Sequence, residues 1–106
     1  MKIYNFHTRD GKDISLAFNS AIFMAVKMKH GLILDQEVMK NPYNQPVLTT
    51  VITKMHEKAC QLKGQEPQFS EEEIKNSLDI DEMLYIYTML CIERNKIIST
   101  SLKPEN

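Results

Sequence analysis

His56 and Cys60 stand one helical turn apart in the sequence, a spacing that could place a thiol beside a base or bring two metal ligands together. A zinc site would need further ligands, and the other two histidines are isolated from this pair. The simpler interpretation places Cys60 in the core beside Ala59 and His56 on the helix flank with Glu57. The pair therefore predicts no metal or nucleophile site.

Two acidic clusters, SEEE at 70–73 and DIDE at 79–82, raise the question of acid–base catalysis or calcium binding. Their spacing lacks the alternating oxygen ligands and central glycine of a calcium loop. In each cluster a capping residue is followed three places later by glutamate, Ser70 by Glu73 and Asp79 by Glu82. This is the capping box of a helix N-terminus, where acidic residues also complement the helix dipole. The clusters therefore predict two helix starts.

No other pattern in the chain predicts catalysis. The glycines at 11, 31 and 64 are scattered, so they form no phosphate-binding loop, and no serine lies in a nucleophile elbow. We expect no catalytic, cofactor-binding or metal-binding residues, and a protein that is not an enzyme.

Charge and composition exclude several classes of partner. The formal net charge is −1, from 13 Lys and Arg against 14 Asp and Glu, which argues against broad nucleic-acid binding and against a polybasic membrane-surface module. The longest apolar run, 21–26, is too short to span a bilayer, and the first residues show no signal-peptide pattern. Cys60 and Cys91 lie on apolar stretches, as expected for free thiols in a reducing compartment. We expect an intracellular protein with no nucleic-acid or membrane partner.

The elements that would position these residues follow from the hydrophobic pattern. Two β-branched and aromatic runs flank Asp10 and Gly11, which predicts a β-hairpin within residues 2–18, with alternating burial along the second strand. Helices are predicted after the caps Asn19 and Ser20, near Asp35, over 46–64, after Ser70, and over 80–98.

The predicted fold class is α+β, mostly helical, with an N-terminal hairpin followed by four to five helices. One domain over 1–106 is expected, with the hairpin in 1–18, the helical part in 19–98 and a frayed tail in 99–106.

Methionine is frequent, with seven among 106 residues, and the stretches AIFMAV and MLYIYTMLCI are apolar on more than one face. Methionine fills gaps in cores, but it also serves adaptable contact surfaces. In so small a chain, helices that are apolar all round are central or covered by another subunit. We expect both central packing and an association face, including a possible homo-oligomer.

The order of these features resembles the tail assembly chaperones of long-tailed, siphovirus-type bacteriophages and prophages of Gram-positive bacteria. The resemblance rests on DGK before an apolar strand ending in FN, a helix closed by HG, and the segment EPQFSEEEIKNSLDIDEMLYIYTML. It covers roughly residues 10–94.

The resemblance implies a non-catalytic protein of the host cell cytoplasm that binds the tape measure protein and delivers it to tail tube protein during tail assembly. It also implies a second form, extended by a translational frameshift. The expected partner-binding residues lie on the first and last helices: Phe23, Met28, Tyr85, Tyr87, Met89 and Ile92.

Two other functions remain open from the sequence. A small phage-encoded protein that binds and inhibits a host protein would share the same composition. The sequence argues against a DNA-binding repressor. The helix predicted over 80–98 would have to be the recognition helix, but it opens with Asp79, Asp81 and Glu82, which would repel phosphates.

Overall fold

The computed structural model describes residues 2–102, with side chains for residues 2–96. Strands β1 (Ile3–His7) and β2 (Asp13–Ala17) form an antiparallel hairpin whose register pairs Ile3 with Ala17 and His7 with Asp13. Gly11 has φ 87°, a conformation that glycine adopts without the steric cost of a Cβ atom. The predicted hairpin around Asp10 and Gly11 is confirmed.

Five helices follow the hairpin, so the predicted α+β, mostly helical fold class is also confirmed. They are α1 (Ala21–His30), α2 (Leu34–Lys40), α3 (Gln45–Leu62), α4 (Glu71–Ser77) and α5 (Ile80–Leu102). The fifth helix extends past its predicted end near 98 and takes in part of the predicted frayed tail; 103–106 lie outside the described residues.

Helix α3 is the centre of the molecule, with β2, α1, α4 and α5 packed around it. Its side chains are buried around most of its circumference, including Val51, Ile52 and Ala59 at 0% exposure. Helix α5 contributes Met83, Ile86 and Leu90 to the same core, at spacings of three and four residues. This single apolar cluster holds both the hairpin and the helices.

The second strand departs from the predicted alternation, since residues 14–17 are buried on both faces of the hairpin. The physical reason is that α3 also covers the outer edge of β2. The His56 ring donates to the main-chain carbonyl of Ser15 at 2.9 Å, and the Lys63 ammonium donates to the Ser15 hydroxyl. A period-two pattern cannot reveal this cover, because α3 lies far along the chain.

Helix ends agree with the predicted caps in part. Gly31 closes α1 at φ 68°. The cap of α3 was not predicted: it is Asn44, whose side chain accepts from the N–H of Val47 at 3.3 Å. Ser20 makes no capping bond; the Asn19 side chain accepts from the N–H of Ala21 instead. Helix α3 begins at Gln45, one residue before its predicted start at 46, so Pro46 is its second residue.

Helices α2 and α5 are joined by a polar cluster at the start of α2. The Asp35 carboxylate accepts from the Tyr87 hydroxyl at 3.0 Å and from the Arg94 guanidinium at 2.8 Å. Arg94 also lies over the Phe23 ring, 5.5 Å from its centroid. The cluster therefore connects three helices.

The Tyr4 hydroxyl is buried between the hairpin and α5, beside the Glu93 carboxylate, and makes no hydrogen bond of good geometry among the described residues. Burial and the nearby Glu93 carboxylate raise the pKa of Tyr4 to about 12 from the usual 10. An acid whose pKa is higher in the folded state contributes stability below its unfolded pKa. We expect this stability to be lost as the pH rises from 10 to about 12.

Chemical denaturation across this pH range checks the expectation. The Tyr4→Phe variant should lose stability less steeply than the wild type, because it has no hydroxyl to ionise. Tyr43→Phe is the matched control, since Tyr43 is exposed. Equal slopes for the wild type and Tyr4→Phe would contradict the account.

Candidate partner-binding surface

His56 is fully buried, so its predicted place on the helix flank is wrong. Its Nδ1 atom donates to the carbonyl of Ser15, and its Nε2 atom accepts from the N–H groups of Gln68 and Phe69, each at 3.2 Å. This arrangement fits the neutral ring with its proton on Nδ1. The ring thus joins β2, α3 and the segment before α4.

Cys60 is buried, as predicted, with its Sγ atom 3.5 Å from Nε2 of His56. The lone pair on Nε2 is already shared by two main-chain donors, and neither side chain faces solvent. The pair is consequently a structural contact. Within residues 2–96, no group of three or more histidine, cysteine or carboxylate side chains is arranged to hold a metal ion.

Both capping boxes are present as predicted. In the first, Ser70 and Glu73 exchange hydrogen bonds between side chain and main chain, and the Ser70 backbone N–H and hydroxyl lower the pKa of Glu73. In the second, Glu82 accepts from the N–H of Asp79 at 3.1 Å, and Asp79 accepts from the N–H of Glu82 at 2.8 Å. These carboxylates therefore stabilise the N-termini of α4 and α5 by accepting hydrogen bonds from main-chain N–H groups.

The second box also holds the hairpin loop. The other carboxylate oxygen of Glu82 accepts from the N–H of Arg9 at 3.0 Å, and the Arg9 guanidinium pairs with Asp79. Glu82 is buried, with 6% exposure. This role was missed because its partner lies near the other end of the described chain.

The six predicted partner-binding residues do not form one surface. Met28, Tyr85 and Ile92 are exposed, at 80%, 59% and 49%. Phe23, Tyr87 and Met89 are half-buried: Phe23 and Tyr87 belong to the polar cluster with Asp35, and Met89 packs beside Tyr4.

A groove of about 520 Å³ lies between α1 and α3, and we call it the α1–α3 groove. Its apolar lining includes Met24, Met28 and Ala25, and α3 contributes Thr50 and Thr53. Met24 is 62% exposed and was not among the predicted residues. Its spacing was the available signal: if Ile22 and Val26 face the core, residues 24 and 28 lie on the opposite side of α1.

Charged pairs border the α1–α3 groove. Lys29 pairs with Glu71 across to α4, and Lys54 pairs with Glu57 along α3 at 3.0 Å. Exposed ion pairs of this kind contribute little to stability, so their charges are free to exchange partners. The arrangement is an apolar floor with both signs of charge at its rim, which suits the binding of an amphipathic segment.

No helix within residues 2–102 is long and apolar enough to cross a membrane. Comparison of the chain with models of known protein families, with curated proteins and with solved structures found no significant match.

Proposed function

We propose that this protein is a tail assembly chaperone of a long-tailed bacteriophage or prophage, a non-catalytic protein of the host cytoplasm that binds the tape measure protein and assists tail tube assembly. The sequence resemblance over roughly residues 10–94 supports the proposal. The observation that carries it is the α1–α3 groove, where Met24 and Met28 lie exposed on the side of α1 opposite the buried Ile22 and Val26.

The groove suits a helical client. An amphipathic helix presents apolar residues at spacings of three and four, flanked by charged residues. Met24 and Met28 follow the same spacing, and unbranched thioether side chains adapt to varied apolar partners. The rim offers Lys29 and Lys54 as well as Glu57 and Glu71, so charges of either sign on the client can find a partner. Covering the apolar face of such helices would keep a long helical protein from aggregating before the tail tube is assembled.

Co-expression with the tape measure protein encoded in the same gene cluster tests the proposal. We expect the wild-type protein to keep the tape measure protein in the soluble fraction and to co-purify with it. The Met24→Glu and Met28→Glu variants should lose this co-purification, because each places a charge on the apolar floor. Their free energies of unfolding should stay within about 0.5 kcal/mol of the wild type, since both side chains are exposed.

Met39→Glu is the matched control. Met39 is 87% exposed on α2 and does not line the groove, so this variant should retain the tape measure protein. Failure of the wild type to bind the tape measure protein would overturn the proposed function. A stoichiometric complex with one host protein would instead favour a phage-encoded protein that inhibits a host protein. If Met24→Glu retained the tape measure protein as well as the wild type does, the proposed function would stand, but the α1–α3 groove would not be the binding surface.

A further inference from the structure

The outward-facing main-chain groups of β1 can be identified from two hydrogen bonds. His56 donates to the carbonyl of Ser15, so this carbonyl points away from β1. In an antiparallel ladder, residues directly opposite each other share the same orientation, and the orientation alternates along the strand. Ser15 is opposite Asn5, so Ile3, Asn5 and His7 direct their N–H and C=O groups away from β2.

A second bond fits the same alternation. The N–H of Thr8 donates to the carbonyl of Lys12 at 2.8 Å, so this pair faces inward. His7, the residue before it, must then face outward, in agreement with the orientation taken from Ser15.

This outer edge of β1 is open. Within the described part of the chain, no hydrogen bond reaches the outward N–H or C=O groups of Ile3, Asn5 or His7. The strand contains no proline, and residues 3–6 carry no charge. Proteins commonly protect an unpaired edge with these devices, and an edge that lacks them is a template for another strand. The outer edge of β2, by contrast, is covered by α3.

We propose that a second copy of this chain pairs its β1 with this edge, antiparallel, about a two-fold axis at Asn5. In this register Asn5 faces Asn5 of the partner copy, and Ile3 faces His7 of the partner copy. The outward residues are spaced evenly about Asn5, so every outward N–H and C=O of both strands gains a partner. The result is a four-stranded sheet in the order β2, β1, partner β1, partner β2.

The side chains favour a second copy over an unrelated strand. Tyr4 falls opposite Phe6 of the partner copy, and an aromatic cross-strand pair is favourable. Lys2 falls opposite the uncharged Thr8, so the register sets no like charges against each other. A self-complementary patch of this kind is what a two-fold dimer requires.

Exposed apolar surface continues from this edge onto α5. Tyr85 contacts the Phe6 ring, with 5.9 Å between ring centroids, and is still 59% exposed. Ile92 lies two helical turns further along the same face of α5 and is 49% exposed. Helix α5 would thus add apolar contacts beside the sheet. The inference does not depend on the proposed function.

Hydrogen exchange on the wild-type protein at increasing concentration tests the pairing. We expect the amides of Ile3, Asn5 and His7 to become protected as concentration rises, in step with a dimer in sedimentation velocity. The amides of Tyr4 and Phe6 should be protected at all concentrations, because they pair with β2. A monomer at every concentration, or a dimer in which Ile3, Asn5 and His7 gain no protection, would overturn the proposal.

Substitutions at Asn5 separate the main chain from the side chain. Asn5→Pro removes the central outward N–H and should abolish the dimer. It leaves the main-chain bonds to β2 in place, because proline is tolerated where the N–H faces an open edge. Asn5→Ala is the matched control: it also loses the bond from the Ser15 hydroxyl, at 3.0 Å, but keeps the N–H and should remain dimeric. Dimerisation by both variants would refute pairing through this edge.

A cross-link tests the register. Asn5→Cys in a Cys91→Ser background should form an intermolecular disulfide, because facing residues in such a pair lie about 5.5 Å apart between Cα atoms. Asn76→Cys, exposed on α4, is the control and should form no intermolecular disulfide under the same mild oxidation. No excess of cross-linked Asn5→Cys over the control would rule out an axis at Asn5.

Discussion

Replacing His56 with alanine will lower the free energy of unfolding by about 4 kcal/mol, the largest effect expected for any change considered for this protein. The substitution opens a cavity at a fully buried site. It also leaves the carbonyl of Ser15 and the N–H groups of Gln68 and Phe69 without their partner. Thermal denaturation should show a fall in Tm of roughly 15–30 °C.

His30→Ala is the matched control for this prediction. His30 is half-buried, and among residues 2–96 its Nε2 atom bonds the Thr50 hydroxyl alone, at 2.8 Å. The loss there should be about 1 kcal/mol, the usual net value of one hydrogen bond. If the two alanine variants unfolded at similar temperatures, the proposed role of His56 as the joint between β2, α3 and the 68–69 segment would be wrong.

Replacing Glu82 with glutamine will cost about 2 kcal/mol, although the change is nearly isosteric. Glu82 accepts the N–H of Asp79 with one carboxylate oxygen and the N–H of Arg9 with the other. Glutamine has one oxygen, so its amide nitrogen must face one of these donors at a buried site. Urea denaturation should show the loss as a lower midpoint with an unchanged slope.

The other capping box supplies the control. Glu73 accepts the N–H of Ser70 through a single oxygen and is exposed, so glutamine can reproduce the bond. We expect Glu73→Gln to change the free energy of unfolding by less than about 0.5 kcal/mol. Equal losses for Glu73→Gln and Glu82→Gln would show that the bond from Arg9 contributes nothing.

The elements that the sequence predicted well are those specified by neighbours in the chain. Both capping boxes join residues three places apart, and the hairpin depends on Asp10 and Gly11 at its turn. Because neighbouring residues specify these features, the hairpin, the helices and the α+β class could all be predicted from the sequence pattern.

The features that the sequence did not predict are contacts between residues far apart in the chain. Nothing near His56 in the sequence indicates that Ser15, 41 positions away, will accept from its ring. Glu82 and Arg9 are 73 positions apart. A lone histidine beside a glutamate therefore suggests an exposed flank, and only the packing of α3 against β2 places its ring in the core.

The candidate surface was predictable in part. Placing Ile22 and Val26 toward the core leaves position 28 outside, and Met28 is exposed. The same reasoning applied to position 24 would have found Met24. The exposure of Phe23 and Tyr87 could not be predicted in this way, because their burial depends on Arg94 and Asp35, which reach them from other helices.

The hairpin's dependence on distant partners has a consequence for synthesis. Residues 3–17 leave the ribosome before the residues that hold them, since α3 supplies His56 and α5 supplies Glu82 only later. A two-stranded hairpin is marginally stable by itself in water. The nascent chain must therefore carry these strands unsupported until most of the sequence has been translated, and a ribosome that stalls before α5 would release a product prone to strand-to-strand association.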